Sequence, residues 1–150
     1  MDVRVQESSF DPGAESNAFL HRAGGAGAAV TFTGLVRSQP DAPVQSLTLD
    51  CYRELALNQI GRMVEQALER FALVDAAVIH RFGTLNAGEP IVQVMTLAPH
   101  RQAAFEAAEF LMDYLKTDAP FWKRETTPDG EAHWVDAQAA DDVARARWQE

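Results

Sequence analysis

The feature that most constrains this chain is a change of hydrophobic period, made twice. In the stretch from Glu54, Ile60, Met63, Val64, Ala67, Leu68 and Phe71 recur at the i, i+3, i+4, i+7 spacing of one buried helical face. Arg62, Glu65, Gln66, Glu69 and Arg70 lie off that face. Pro99 then opens a second helical stretch, about His100 to Lys116, with Ala104, Phe105, Ala108, Met112 and Leu115 facing inward. Around these two runs the pattern is that of strands. Val3 and Val5 alternate with polar neighbours, 28–36 is β-branched and aromatic, and Leu47, Leu49 and Cys51 alternate strictly. The simplest pairing joins 28–36 to 44–51 across the Pro-rich loop 38–43. Segments 74–82 and 91–97 form a hairpin about a Gly83…Gly88 turn. Phe121–Glu125 meets His133–Val135 across Thr127-Pro128-Asp129-Gly130. Short helices are expected at 15–22 and 141–148. Hairpins with two separated main helices make an α+β domain.

Composition narrows the function. At 150 residues the expectation is one domain over 1–150, its tail from about 137 helical or mobile. A hydrophobic share of 47% can bury enough surface to offset the ordering entropy of the chain. The 22 acidic against 13 basic residues, net charge −9, exclude a protein that coats nucleic acid generally, but not a local basic cluster. The single cysteine, Cys51, excludes an intramolecular disulfide framework and fits a reducing compartment; its alternation with Leu47 and Leu49 places it on an apolar face, buried and inert. Met1-Asp2-Val3-Arg4 has no apolar run behind it, and the uncharged stretch 23–36 is too short and Gly-rich to span a bilayer, so a cytoplasmic location is expected. Glycine-rich phosphate loops, the zinc-protease helix motif and the serine nucleophile elbow are all missing, and no carboxylate stands at ligand spacing beside His80 or His100.

What remains is positive charge at the ends of apolar segments. Arg37 follows Gly34-Leu35-Val36, and His100-Arg101 sits where a strand turns into a helix whose N-terminal N–H groups favour an anion. Lys116 closes that helix, and Lys123 and Arg124 follow across Pro120, with Glu125 placed to pair with a neighbouring base. Each has a plainer reading. A C-terminal Lys complements a helix dipole, surface arginines contribute little, and His80 alternates with Ala76 and Val78 as a half-buried structural residue. Trp122 and Trp134 read as packing.

Taken together, Val30-Thr31-Phe32-Thr33-Gly34-Leu35-Val36-Arg37, His80-Arg81-Phe82-Gly83, Gly88-Glu89, His100-Arg101-Gln102-Ala103-Ala104-Phe105-Glu106-Ala107, Met112-Asp113-Tyr114-Leu115-Lys116-Thr117 and Ala119-Pro120-Phe121-Trp122-Lys123-Arg124-Glu125 closely resemble the catalytic (large) subunit family of molybdopterin synthase. The resemblance runs from about Val30 to Val135 and implies an α/β-hammerhead-type fold. It also implies a homodimer at the centre of a heterotetramer, whose small ubiquitin-like sulfur-carrier subunits insert Gly-Gly C-termini. The implied activity is that of a sulfurtransferase in molybdenum cofactor biosynthesis. It moves sulfur from the carrier's thiocarboxylate to cyclic pyranopterin monophosphate (precursor Z), forming the dithiolene of molybdopterin. Carried over by position, Lys116 and Lys123 are the implied catalytic residues. Leu35, Val36, Arg37, His100, Arg101, Lys116, Lys123, Arg124 and Glu125 are the implied substrate contacts, with Leu35 standing where relatives often have Lys. No cofactor and no metal are implied, because sulfur arrives on the partner. Two other readings are a non-catalytic module that binds a ubiquitin-like tail, and a phosphate-ester-binding enzyme without a protein partner.

Overall fold

A computed structural model of the chain describes residues 1–22, 24–135 and 139–149. Of the Gly/Ala patch 23–29, residue 23 lies outside the described residues, as do 136–138 and 150 of the tail. Along the chain run β1 (Asp2–Gln6), α1 (Pro12–Leu20), β2 (Ala28–Leu35), β3 (Ser46–Cys51), α2 (Arg53–Arg70), β4 (Asp75–Arg81), β5 (Gly83–Asn86) and β6 (Pro90–Ala98). These are followed by α3 (Arg101–Thr117), β7 (Phe121–Thr126), β8 (Ala132–Val135), α4 (Ala139–Ala146) and a closing 3-10 turn, Arg147–Gln149. The strands form two four-stranded sheets, ordered β1-β4-β6-β2 and β5-β3-β7-β8.

The first sheet is covered on both faces, which is why β4 and β6 read as nearly continuous apolar runs. Alternation sends Ala76, Val78, Val92 and Val94 to the side where α2 delivers Ile60, Met63, Val64 and Ala67, and α3 delivers Ala108, Phe110 and Leu111. Ala77, Ile79, Met95 and Leu97 go to the opposite side, under Phe19 of α1. Both main helices therefore stand where the helical period puts them, but Phe105 does not face inward: it is 56% exposed. The stripe of α3 that meets the sheet is carried instead by Ala104, Ala107, Ala108 and Leu111.

Two pairings differ from expectation. β2 does not join β3; it runs antiparallel to β6, and β3 lies in the second sheet between β5 and β7. β4 and β6 do pair, but the presumed Gly83–Gly88 turn holds β5, whose Leu85 is fully buried against Val36 and Leu49. A strand of four residues that begins on Gly83, with Gly83 and Gly88 both at φ +88°, leaves too few positions for a period to show. The β7–β8 hairpin forms as expected about the 127–130 turn. The first helix begins earlier than its pattern suggested, with Pro12 in its first turn and the Asp11 carboxylate accepting from the Gly13 and Ala14 amides.

Candidate active site

A cleft of about 540 Å³ opens where the end of β2, the last turn of α3 and the β7–β8 hairpin converge. Each wall follows from local chemistry. Near its end β2 carries Gly34, where a Cβ would meet Val92 Cγ1 at 2.7 Å, and the register with β6 shifts between Gly34 and Leu35. The chain then leaves the sheet. The Val36 amide donates to Glu89 O at 3.0 Å, and the Gly88 amide donates back to Val36 O at 2.7 Å. Val36 is thereby buried, while Leu35 is exposed on the rim and Arg37 lines the cavity. With the Gln39 amide turned so that its oxygen faces the guanidinium, Arg37 Nε donates to it at 2.7 Å and the Gln39 nitrogen donates to Asp41 at 3.3 Å.

The second wall is the end of α3. The Asp118 and Ala119 amides both donate to Tyr114 O, at 2.8 and 3.2 Å, which ends the helix and frees Lys116 to project from its last turn. Pro120 turns the chain into β7, where alternation places Phe121, Lys123 and Glu125 on the cleft. Lys123 pairs in register with Leu49 on one side and Val135 on the other. Below them the His80 ring stacks on Phe121, with centroids 4.0 Å apart and planes at 17°.

Electrostatically the cleft gathers three cations, Arg37, Lys116 and Lys123, beside two carboxylates, Glu125 and Asp141, in an acidic protein. Burial lowers the pKa of Lys123, and the Lys116 ammonium lowers it further; Asp141 and Glu125 oppose both. Burial pushes His80 down to about 4, aided by Lys123 and Lys116 and opposed by its hydrogen bond to Arg81 O, so the ring is neutral at physiological pH.

Of the residues expected from sequence, Leu35, Val36, Arg37, Lys116, Lys123 and Glu125 share this one cavity. Arg124 does not line it; its guanidinium lies 5.8 Å from the Trp134 ring centroid. His100 and Arg101 stand at the other end of α3, exposed, about 22 Å from Lys116 along the helix axis at the usual rise per residue. One chain does not bring them into this cleft. Trp122 and Trp134 are 48% and 65% exposed and edge the cavity rather than packing in a core. Cys51 is half-buried, not buried, in a shallow groove with Asp50, Tyr52 and Trp122; burial and Asp50 raise its thiol pKa. Sequence reasoning gave His80 a structural role and did not connect it to the lysines. The signal was its alternation with Ala76 and Val78, which aims it inward, but its neighbour Phe121 lies forty-one residues away. Among the described residues no group of three His, Cys, Asp or Glu side chains is placed to hold a metal ion.

Fold and site together define an α+β protein with a cleft lined by two lysines and an arginine, side chains suited to an anionic ligand. The family model described as MoaE protein matches residues 5–118. A molybdopterin synthase catalytic subunit from Cereibacter sphaeroides is 50% identical over 148 residues, spanning 99% of this chain and 100% of that one. The solved structure of a molybdopterin biosynthesis MoaE protein from Burkholderia ambifaria MC40-6 superposes with TM-score 0.82 at 43% identity, covering 99% of this chain and 98% of the other. A solved complex of subunits 1 and 2 of molybdopterin-converting factor from Helicobacter pylori 26695 shares the fold, with TM-score 0.74 at 20% identity over 91% and 90% of the two chains. The chain belongs to the MoaE family, the catalytic subunits of molybdopterin synthase in molybdenum cofactor biosynthesis.

Proposed function

We propose that the cleft holds the C-terminal thiocarboxylate of a small ubiquitin-like carrier against cyclic pyranopterin monophosphate and transfers sulfur between them. The observation that carries this reading is the meeting of Arg37, Lys116 and Lys123, from three separate segments, on one cavity. Both reactants are anions, so bringing them together requires fixed positive charge, which Arg37 offers to phosphate as a planar fork. Lys116, exposed at the rim, faces the carrier's terminal carbonyl. Lys123, deeper, faces the pterin side. Each sulfur bonds to a side-chain carbon of the pterin as a carbon–oxygen bond at that carbon breaks and its oxygen leaves; the carbon–sulfur bond to the carrier then breaks, and water supplies the oxygen of the released carboxylate. The Lys116 ammonium stabilises the oxyanion that forms at the carrier carbonyl, and the Lys123 ammonium stabilises charge that develops on the pterin side. Sulfur enters on the partner, so the chain supplies neither cofactor nor metal, and Cys51, its thiol held protonated, takes no part.

A homodimer accounts for His100 and Arg101. β2 is an edge strand of eight residues with no charged or proline side chain, and among the described residues no strand pairs with its outer edge. Phe32, Leu35 and Phe105 beside it are 41%, 58% and 56% exposed. Antiparallel pairing of two such edges about a two-fold axis sets the Ala28 end of one chain beside the Leu35 end of the other. The α3 N-terminus of each copy then stands next to its partner's cleft, where His100 and Arg101 complete the substrate contacts. The carrier partner is supported by the Helicobacter pylori complex of two subunits. No helix of the described residues is long and apolar enough to cross a membrane, which suits a cytoplasmic location.

The test is reconstitution with thiocarboxylated carrier and precursor Z, each also omitted in turn. Dithiolene formation should require both and fall by at least about a hundredfold in Lys116→Ala and in Lys123→Ala, with unchanged circular dichroism. Activity within twofold of wild type in either variant removes that lysine from the mechanism.

A further inference from the structure

The C-terminal helix α4 belongs to neither sheet, yet its first turn reaches the cleft: Asp141 lines the same cavity as Lys116 and Lys123. Among the described residues its side-chain ties to the body lie further along. Arg145 Nε donates to Asp118 Oδ2 at 2.7 Å, and Arg147 Nη2 donates to Glu109 and Asp113 at 2.9 and 3.1 Å. Trp148 Nε1 donates to Asp113 at 2.6 Å, its backbone oxygen accepts from Arg70 at 2.7 Å, and its indole stands edge-on to Phe71 and Phe110. The helix is anchored at its far end to α2 and α3, and its acidic first turn is set over the mouth of the site.

We propose that Asp141 is a positioning residue for Lys123, an anionic neighbour that keeps the ammonium charged and directed into the cleft. The groups facing Lys123 are Lys116 from α3, Glu125 from its own strand, the neutral His80 beneath Phe121, Arg37 from the end of β2 and Asp141 from α4. Burial and Lys116 both favour loss of the Lys123 proton, and of the groups that hold it on, Asp141 acts more strongly than Glu125. A cation at the meeting point of two anionic reactants has to remain protonated before they arrive. The ordinary role of an acidic residue in a first helical turn is to complement the helix dipole. Asp142 occupies the same turn but is exposed and lies outside the cavity, so it separates the two roles within one molecule.

The inference rests on the reading that Lys123 works as a cation in sulfur transfer, and the experiment keeps the two apart. In the full chain, the rate at which acetic anhydride modifies Lys123 is followed against pH by peptide mass spectrometry for wild type, Asp141→Asn, Asp141→Glu and Asp142→Asn. Dithiolene formation is measured over the same pH range. Asp141→Asn should label Lys123 severalfold faster at a given pH, because more of the amine is unprotonated, and the alkaline fall of activity should move to lower pH. Asp141→Glu should return both profiles toward wild type, and Asp142→Asn should move neither. A labelling profile in Asp141→Asn that coincides with wild type, or that Asp142→Asn reproduces, overturns the assignment. A shifted labelling profile alongside full activity in Lys123→Ala leaves the electrostatic effect of Asp141 on Lys123 standing and rejects the catalytic reading of Lys123.

Discussion

His80 makes the fold acid-sensitive in a way that can be worked out in advance. Its Nδ1 lies 2.7 Å from Arg81 O, an oxygen that can only accept, so that nitrogen carries the proton of a neutral ring. The ring is sandwiched into the core side of β4 against Phe121, and burial holds its pKa at about 4 instead of the ordinary 6.5. An unfolded chain takes up a proton on this residue as the pH drops below 6.5, whereas the folded chain refuses it until about 4. The unfolded state therefore binds more protons throughout that interval. Stability is complete above 6.5 and is lost progressively as the pH falls to about 4, by about 3 kcal/mol in total. That is a substantial share of the roughly 5–15 kcal/mol that holds a typical domain together. Urea unfolding of wild type and His80→Gln at half-unit steps from pH 7.5 to 4 isolates the contribution, since carboxylates that titrate in the same range are common to both and cancel in the difference. The wild-type curve should fall more steeply by about 3 kcal/mol across the interval. Parallel curves, or an imidazole resonance of His80 that titrates near 6.5, would refute the reasoning.

Two further outcomes test the backbone and the lone thiol. Ala72 holds φ +50° where α2 ends, with the Leu73 amide donating to Leu68 O at 3.0 Å, so Ala72→Gly should raise stability by about 1 kcal/mol, read from the urea midpoint. Cys51→Ser places a hydroxyl against the core that Cys51 borders, and should lower stability by about 1 kcal/mol while leaving dithiolene formation unchanged; a folded but inactive Cys51→Ser protein would overturn the route assigned to sulfur.

The parts of the molecule legible in the sequence are those whose determinants are local. α2 and α3 declare themselves by period, and the β7–β8 hairpin by a Pro-Asp-Gly turn between aromatic runs. The partner of β3 is not local: Leu49 pairs with Lys123, more than seventy residues on, and nothing in the alternation of 47–51 distinguishes that strand from β2 as its neighbour. β5 escaped for the opposite reason, being too short for any repeat. In the site, the two lysines and Arg37 stood out as charges at the ends of elements, so their presence was readable although their meeting was not. His80 and Asp141 could not be connected to them, because the link runs through a ring stack and through a helix packed back from the end of the chain.

α3 spans the distance between its two sets of cations and is too stiff to fold back on itself. In the dimer proposed above, each helix serves two reaction centres, one at its head and one at its tail, and neither centre belongs to a single polypeptide. Damage is then distributed by symmetry rather than by chain. Pairing a protomer that lacks Arg101 with one that lacks Lys116 leaves one centre doubly impaired and the other intact, so two individually defective chains restore half of the sites between them.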